Sequence, residues 1–305
     1  MKHGKLLILL ILLSFTYLPF FHFYTSWPNR FVTSPVQAHQ YRIDLILPTY
    51  GDPFWDEVAE SVKISAQKYP ILLRTDQSSE LIRQMEVSIA SNVDGILVVG
   101  NDTVRFNQSV ERATQKGIPV FTIGSDAPSS LRKKYIGSDQ MEAGKKMGRH
   151  LQQTFGQDHQ IGIVTPNHTL PARPIRLLGL KETLVNDENM LVFDQIEHLL
   201  NNHPAVDVIV VLDGRDYREV LQIIQTRTGK VNQHLYTFAD DPAIHAYYEA
   251  GDLSGYIEQS PQQIGEKSIS VLINWLEGRE ELSPDPIHTS IHLVTQRVKK
   301  HDQNH

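Results

Sequence analysis

The chain has 305 residues, 40% hydrophobic and 21% charged, with a formal net charge of -6. That balance fits one large or two ordinary globular domains with a sizeable core. The acidic charge offers no general attraction for a phosphate backbone, so nucleic acid is not an expected partner. The absence of cysteine excludes disulfides, thiolate chemistry, Cys-based zinc sites and the acyl-anchoring cysteine of a lipoprotein.

Residues 1–40 read as a membrane anchor or signal with its linker. Lys2 and Lys5 precede an apolar stretch over 6–24, which as a helix at about 1.5 Å per residue approaches the roughly 30 Å of a bilayer's hydrocarbon. Both lysines lie before the segment, so the positive-inside bias leaves the rest of the chain outside the cytoplasm. Cleavage after Ala38 is the alternative, because Val36-Gln37-Ala38 has the small-residue spacing of a signal cleavage site.

From Tyr41 onward short β-branched runs alternate with amphipathic stretches. The runs are 43–47, 71–73, 95–99, 119–123, 161–164, 206–212 and 235–238; the helical stretches include 54–69, 80–91, 105–116 and 215–226. Such alternation predicts right-handed βαβ units, parallel sheets and an α/β fold, and the number of strands predicts two lobes. Asp52-Pro53 is an N-cap acceptor before a proline at the first helical position. Asp139 with Glu142 has the spacing of a capping box for a helix running to about Phe155, and Asp194 with Glu197 repeats it. Gly117-Ile118-Pro119 ends one helix and enters a buried strand. The polar, His-rich residues 299–305 read as a frayed tail.

In open parallel sheets, ligands bind beyond the carboxyl ends of the strands. Here those ends carry Asp52, Phe54 and Trp55 after the first run, Asn101 and Asp102 after the third, and Ser125 and Asp126 after the fourth; Asp213 and Arg215, then Asp240 and Asp241, follow later runs. Carboxylates, amides and hydroxyls with two aromatics, and no Gly-rich phosphate cradle, suit a neutral polyol: acids accept from hydroxyls and an aromatic face covers a sugar ring.

Across residues 41–295 the text "LPTYGDPFW", "DGILVVGND", "GIPVFTIGSDAPSS", "YIGSDQMEAGKKMG", "RLLGL", "NHPAVDVIVVLDG" and "FADDPAIHAYYEAGDLSGYIEQSPQQIG" resembles the periplasmic sugar-binding proteins of the ribose-binding type. These are type I periplasmic binding proteins, which share their fold with the ligand-binding region of LacI-type repressors. The resemblance implies two Rossmann-like lobes with parallel sheets, joined by a three-crossover hinge near Ser138, Gln259 and His288. The first lobe is then 41–138 with 260–288, and the second is 139–259 with 289–298. It also implies sugar contacts at Asp52, Phe54 and Trp55, at Arg176 and Asp213, and at Phe238 and Gln259. The family's acid at the end of the fourth strand is Gly124 here, followed by Ser125 and Asp126; a second expected acid is Ala239, beside Asp240. Both departures argue against ribose itself. Between Leu180 and His203 the chain lacks the family's ligand-facing aromatic loop, which implies either a different ligand or a partly degenerate pocket.

Each of these residues has a purely structural use as well. Asp52, Asp213 and the Asp240-Asp241 pair are placed to cap helices, Phe54 and Trp55 to fill a core, and Arg176 to form an inter-lobe ion pair; Gln259 is the residue least explained by local structure. His288 and His292 are spaced for one face of a strand, but no convincing third ligand accompanies them or the tail pair His301 and His305, so no metal is expected. No nucleophile elbow or Ser-His-acid set is implied; paired carboxylates such as Asp52 and Asp213 leave a carbohydrate hydrolase as an alternative. The expectation is a non-enzymatic, extracytoplasmic solute-binding protein with no cofactor. Its partners are a small sugar and either the permease of an ABC importer or a sensor histidine kinase. A LacI-type regulator is disfavoured because a membrane segment stands where a DNA-reading helix would be.

Overall fold

The structure, a computed structural model, describes residues 40–48, 51–156, 159–165, 172–184, 189–214, 216–228, 233–239, 241, 243–279, 281 and 283–295. The expected anchor at 6–24 and the tail lie outside them. Among the described residues no helix is long and apolar enough to cross a membrane.

In the compact unit that begins at Tyr41, strands and helices alternate as expected. The order is β1 (Tyr41–Leu47), α1 (Pro53–Ala66), β2 (Ile71–Gln77), α2 (Leu81–Ala90), β3 (Gly95–Val99), α3 (Val104–Gln115), β4 (Val120–Ile123) and β5 (Lys134–Ser138). Then follow α4 (Gln140–Phe155), β6 (Ile161–Val164), α5 (Ala172–Lys181), β7 (Met190–Phe193), α6 (Ile196–Asn202), β8 (Val208–Val211), α7 (Tyr217–Thr228) and β9 (His234–Thr237). The last are α8 (Ile244–Glu249), β10 (Gly255–Glu258), α9 (Pro261–Leu276), β11 (Ile287–Thr289) and β12 (His292–Thr295).

The strands form two six-stranded sheets, ordered β11-β5-β4-β3-β1-β2 and β12-β10-β9-β8-β6-β7. Every pairing is parallel except that of β12 with β10. The α/β reading from the alternating pattern holds. The chain changes sheet between Ser138 and α4, between Glu258 and β11, and between Thr289 and His292. Each sheet is covered on both faces. In the first, Leu45, Leu97 and Ile123 pack with Trp55 and Val58 of α1 and Leu272 of α9, while Ile96 and Val98 pack with Met85 and Phe106 on the other side. In the second, Ile209 and Val211 pack with α6 and α7, and Ile163 and Val210 with Met147 of α4 and Leu180 of α5. Burial on both faces explains why the central strands read as continuous apolar runs.

The local signals at Asp52 and Asp139 are realised: Phe54 N–H donates to Asp52 Oδ1 at 3.1 Å, and Glu142 N–H to Asp139 Oδ1 at 2.9 Å. Gly117 follows α3 with φ of 76°, where glycine carries no Cβ penalty. The capping box at Asp194 is not formed. Gln195 is the N-cap of α6 and makes no side-chain cap bond, so Asp194 falls one position too early to reach the first-turn amides; its Oδ1 lies 3.5 Å from His198 Nδ1 instead. The expected common face of His288 and His292 also fails, because β11 and β12 belong to different sheets. Strand β2 runs past the expected 71–73 because Arg74 continues it over a buried acid, bonding both oxygens of Asp44 at 3.1 and 2.6 Å.

Helices α4 and α5 meet backbone to backbone. A Cβ added at Gly144 would lie 2.2 Å from Arg176 O, and one at Gly179 would lie 2.3 Å from Met141 O. Only glycine permits this approach, which brings the α5 arginines up to the start of α4. Gly144→Ala is therefore expected to destabilise the chain by about 1–3 kcal/mol, the usual cost of overpacking. The check is a lowered urea midpoint with an unchanged slope.

Candidate functional site

Both sheets reverse strand order next to a central strand, between β1 and β3 in the first and between β6 and β8 in the second. Such switch points leave crevices at the carboxyl ends of the strands, and here the two crevices share one cavity. It has about 600 Å³ of empty space, counting the part open to solvent. The first sheet contributes Asp52, Phe54 and Trp55 after β1, Val99 at the end of β3, and Gly124 and Ser125 after β4. From the second come Gln140 at the start of α4, Ala172, Arg173 and Arg176 on α5, Asp213 and Gly214 after β8, and Gln259 after β10.

The wall from the first sheet is largely apolar. Phe54 and Trp55 meet edge to face with centroids 4.9 Å apart, so both expected aromatics reach the cavity. Gly124 has φ of 66°, and a Cβ there would lie 2.5 Å from Cη2 of Trp55. The indole thus fills the space beside the position where an acid was expected. Next to it, Ser125 is buried and its Oγ has no hydrogen-bond partner among the described residues. A buried hydroxyl without a partner costs about 1–3 kcal/mol, so a ligand that satisfies it gains there.

The opposite wall is ionic and is organised by two arginines one helical turn apart. Arg173 Nε donates to Asp213 Oδ2 at 3.0 Å, and its Nη2 to Asp216 Oδ2 at 3.0 Å. Arg176 donates from Nε to Gln140 Oε1 and from Nη1 to Leu212 O, both at 2.7 Å. Its guanidinium carbon stands 4.9 Å from the centre of the Phe238 ring. Burial lowers the Arg176 pKa to about 10, with nearby Asp213 opposing the shift. The group therefore stays charged at neutral pH, and its bonds to the second wall replace the inter-lobe ion pair entertained from sequence.

Seven of the expected contacts are brought together: Asp52, Phe54, Trp55, Ser125, Arg176, Asp213 and Gln259. Asp126 is not. It bonds Arg132 through both oxygens, one pair at 2.7 Å, and also accepts from Thr122 Oγ1 at 2.9 Å, which turns it away from the cavity. Phe238 lies beneath Arg176 and not on the cavity wall, while Asp240 is outside the described residues. Asp241 accepts from Ala243 N–H at 2.8 Å, a local turn ahead of α8 and not the cap expected of it, because the N-cap of α8 is Ala243 and makes no side-chain cap bond. Ala239, the other missing acid, is packed against Gly214, where an added Cβ would lie 2.8 Å from it. Sequence reasoning missed Arg173 and Gln140. Arg173 had a signal: it precedes Arg176 by three residues, which places both on one helix face.

The four charged residues lining the cavity are two carboxylates, Asp52 and Asp213, and two guanidiniums, Arg173 and Arg176. One cavity between walls from two sheets is the arrangement of a two-lobed α/β binding protein. The chain belongs to the periplasmic binding protein family: the model of the periplasmic binding protein domain matches residues 43–280, as the resemblance read from the sequence implied. The chain is similar to the ribose import binding protein RbsB of Salmonella typhimurium, 23% identical over 262 residues, covering 80% of this chain and 88% of the relative. Among solved structures its fold is similar to that of GanP, a glucose-galactose binding protein from Geobacillus stearothermophilus; the TM-score is 0.77 at 21% identity, over 84% of this chain and 97% of that one. It is also similar to a chain of the XylFII-LytSN complex, with a TM-score of 0.75 at 17% identity over 84% and 98%.

Removing Arg173 takes the guanidinium from both Asp213 and Asp216 and leaves two carboxylates close together in the wall. Arg173→Ala is expected to cost about 3–5 kcal/mol, and Asp213→Ala added to it much less than it costs alone. A double-mutant cycle in urea measures the difference.

Proposed function

We propose that this chain is a non-enzymatic binding protein for a neutral monosaccharide, acting outside the cytoplasm and held at the membrane by residues 6–24. One observation carries the reading: a single cavity takes balanced charges from two walls on different sheets and contains an orphaned buried hydroxyl, Ser125 Oγ. A sugar matches each wall. Its hydroxyls serve Asp52, Ser125, Arg173 and Asp213, and its apolar face lies on Phe54 or Trp55.

The two lobes, residues 41–138 with 260–288 and residues 139–259 with 289–298, close on the ligand by hinge motion about the three crossovers. Ligand stabilises the closed form by contact with both lobes at once, and the closed surface is what a membrane partner reads. The name of the similar ribose import protein supports delivery to the permease of an ABC importer. A chain of similar fold occurs in the XylFII-LytSN complex, which is in keeping with the other reading, a sensory subunit that presents its ligand state to a histidine kinase.

The test is thermal melting of the 305-residue chain in mild detergent with D-ribose, D-galactose, D-arabinose and D-allose. A bound sugar at a hundred times its Kd stabilises by about 2.7 kcal/mol through mass action. No shift with any sugar would instead mark a signalling or structural module with a degenerate pocket, and release of products from a glycoside would mark a hydrolase. Ser125→Ala separates binding from folding: it is expected to raise the melting point without ligand, by removing an unsatisfied group, and to weaken sugar binding several-fold.

A further inference from the structure

Gln140 is the first residue of α4 and stands where the chain passes from one sheet to the other. It is buried, and its amide touches three parts of the molecule. Gln140 Oε1 accepts from Arg176 Nε at 2.7 Å. Its Nε2 donates to Gln259 Oε1 at 3.2 Å and lies 3.5 Å from Gly124 O. The two ends of a glutamine amide have the same shape, so chemistry must settle the orientation. A guanidinium N–H only donates and a backbone carbonyl only accepts. Arg176 therefore requires the oxygen of Gln140, and Gly124 requires its nitrogen.

The constraint passes to the next amide. Because Gln140 offers N–H to Gln259, the Gln259 oxygen must turn toward Gln140, which leaves the two N–H groups of Gln259 as the end available to the cavity it lines. No other hydrogen bond of Gln259 occurs among the described residues. We propose that Gln140 is a positioning residue that sets the polarity of Gln259, so that the cleft offers a hydrogen-bond donor there and the bound solute must present an oxygen acceptor.

Gln140→Glu reverses the relay. A carboxylate accepts from Arg176 and has no N–H for Gln259, so the Gln259 amide turns its nitrogen to Glu and exposes its carbonyl to the cleft. Such a variant changes what the site recognises while leaving its shape in place.

The experiment is side-chain amide exchange with water, followed by NMR on the 305-residue chain labelled with [15N]glutamine. The two signals are assigned in the wild-type chain itself, from the couplings of each side-chain amide to its own backbone in a 13C,15N-labelled sample. Without ligand, the Gln140 amide is expected to exchange roughly tenfold more slowly than that of Gln259, as a tethered donor should. In Q140E the Gln259 amide becomes the slow one. A wild-type Gln259 amide as protected as that of Gln140 overturns the proposal, and this comparison stands whether or not Q140E folds. So does a Gln259 signal that stays fast in a folded Q140E chain.

A second arm rests on the sugar-binding reading. Saturation with whichever of D-ribose, D-galactose, D-arabinose or D-allose shifts the melting point should slow the wild-type Gln259 amide about tenfold. A bound sugar that leaves its exchange unchanged overturns the recognition half of the proposal. If none of the four sugars binds, the sugar reading fails instead, and the ligand-free comparison still decides the orientation of the relay.

Discussion

Arg173 and Arg176 are carried out of water together, one helical turn apart, and much of the second lobe is arranged around that fact. A guanidinium removed from solvent without acceptors costs several kcal/mol. The acceptors must therefore converge on α5 from elsewhere, and they do: Leu212 O, Asp213 and Asp216 from the segment after β8, and Gln140 from α4. The glycine contact between α4 and α5 lets Gln140 reach, and Phe238 beneath Arg176 closes the remaining face. A wall built in this way has its polar groups held by partners within the protein, which is what preorganised recognition of a polar solute requires.

The wall facing it follows a different logic. Trp55 lies across Gly124, so aromatic surface stands beside a position where the resemblance implies a carboxylate. Among the described residues, Asp52 and Ser125 supply the carboxylate and the hydroxyl on that side of the cavity, beside the indole of Trp55. Asp52 is also tied to the first turn of α1 as its cap, and the two roles are compatible because a carboxylate has several lone pairs. The cleft is thus asymmetric, apolar toward the first sheet and ionic toward the second. This matches a ring with one less polar face better than a solute that bears a charge.

The path from residues to fold was legible where one local signal sufficed. Asp52 with Pro53, Asp139 with Glu142, and Gly117 each mark a boundary that the backbone respects. Seven strands stand out as apolar runs because their sheets are covered on both faces. The other five, β5, β7, β10, β11 and β12, have only three to five residues each. Length alone does not separate them from β3, β4, β6, β8 and β9, which have four or five; polar residues or glycine interrupt KYIGS, GYIE, IHT and HLVT, and MLVF lies at a sheet edge. The capping spacing at Asp194 misleads because the end of β7, and not the pattern, sets where α6 begins.

The site divides along the same line. Residues directly after β1, β4 and β8 could be named from their place in the chain, since the end of a parallel strand always faces the crevice. The partnerships between them could not. Asp126 has the same composition-level credentials as Asp52, yet Arg132 claims it; Gln140 carries no motif, yet it joins α4, α5 and the segment after β10. Amino-acid order alone determined the alternation of strand and helix, the turn points and the chemical character of the strand ends, because those depend on near neighbours. Only the tertiary structure decided which charges share a wall and which amide end faces the cleft, because a hydrogen bond between residues 119 positions apart exists only once the chain has folded back on itself.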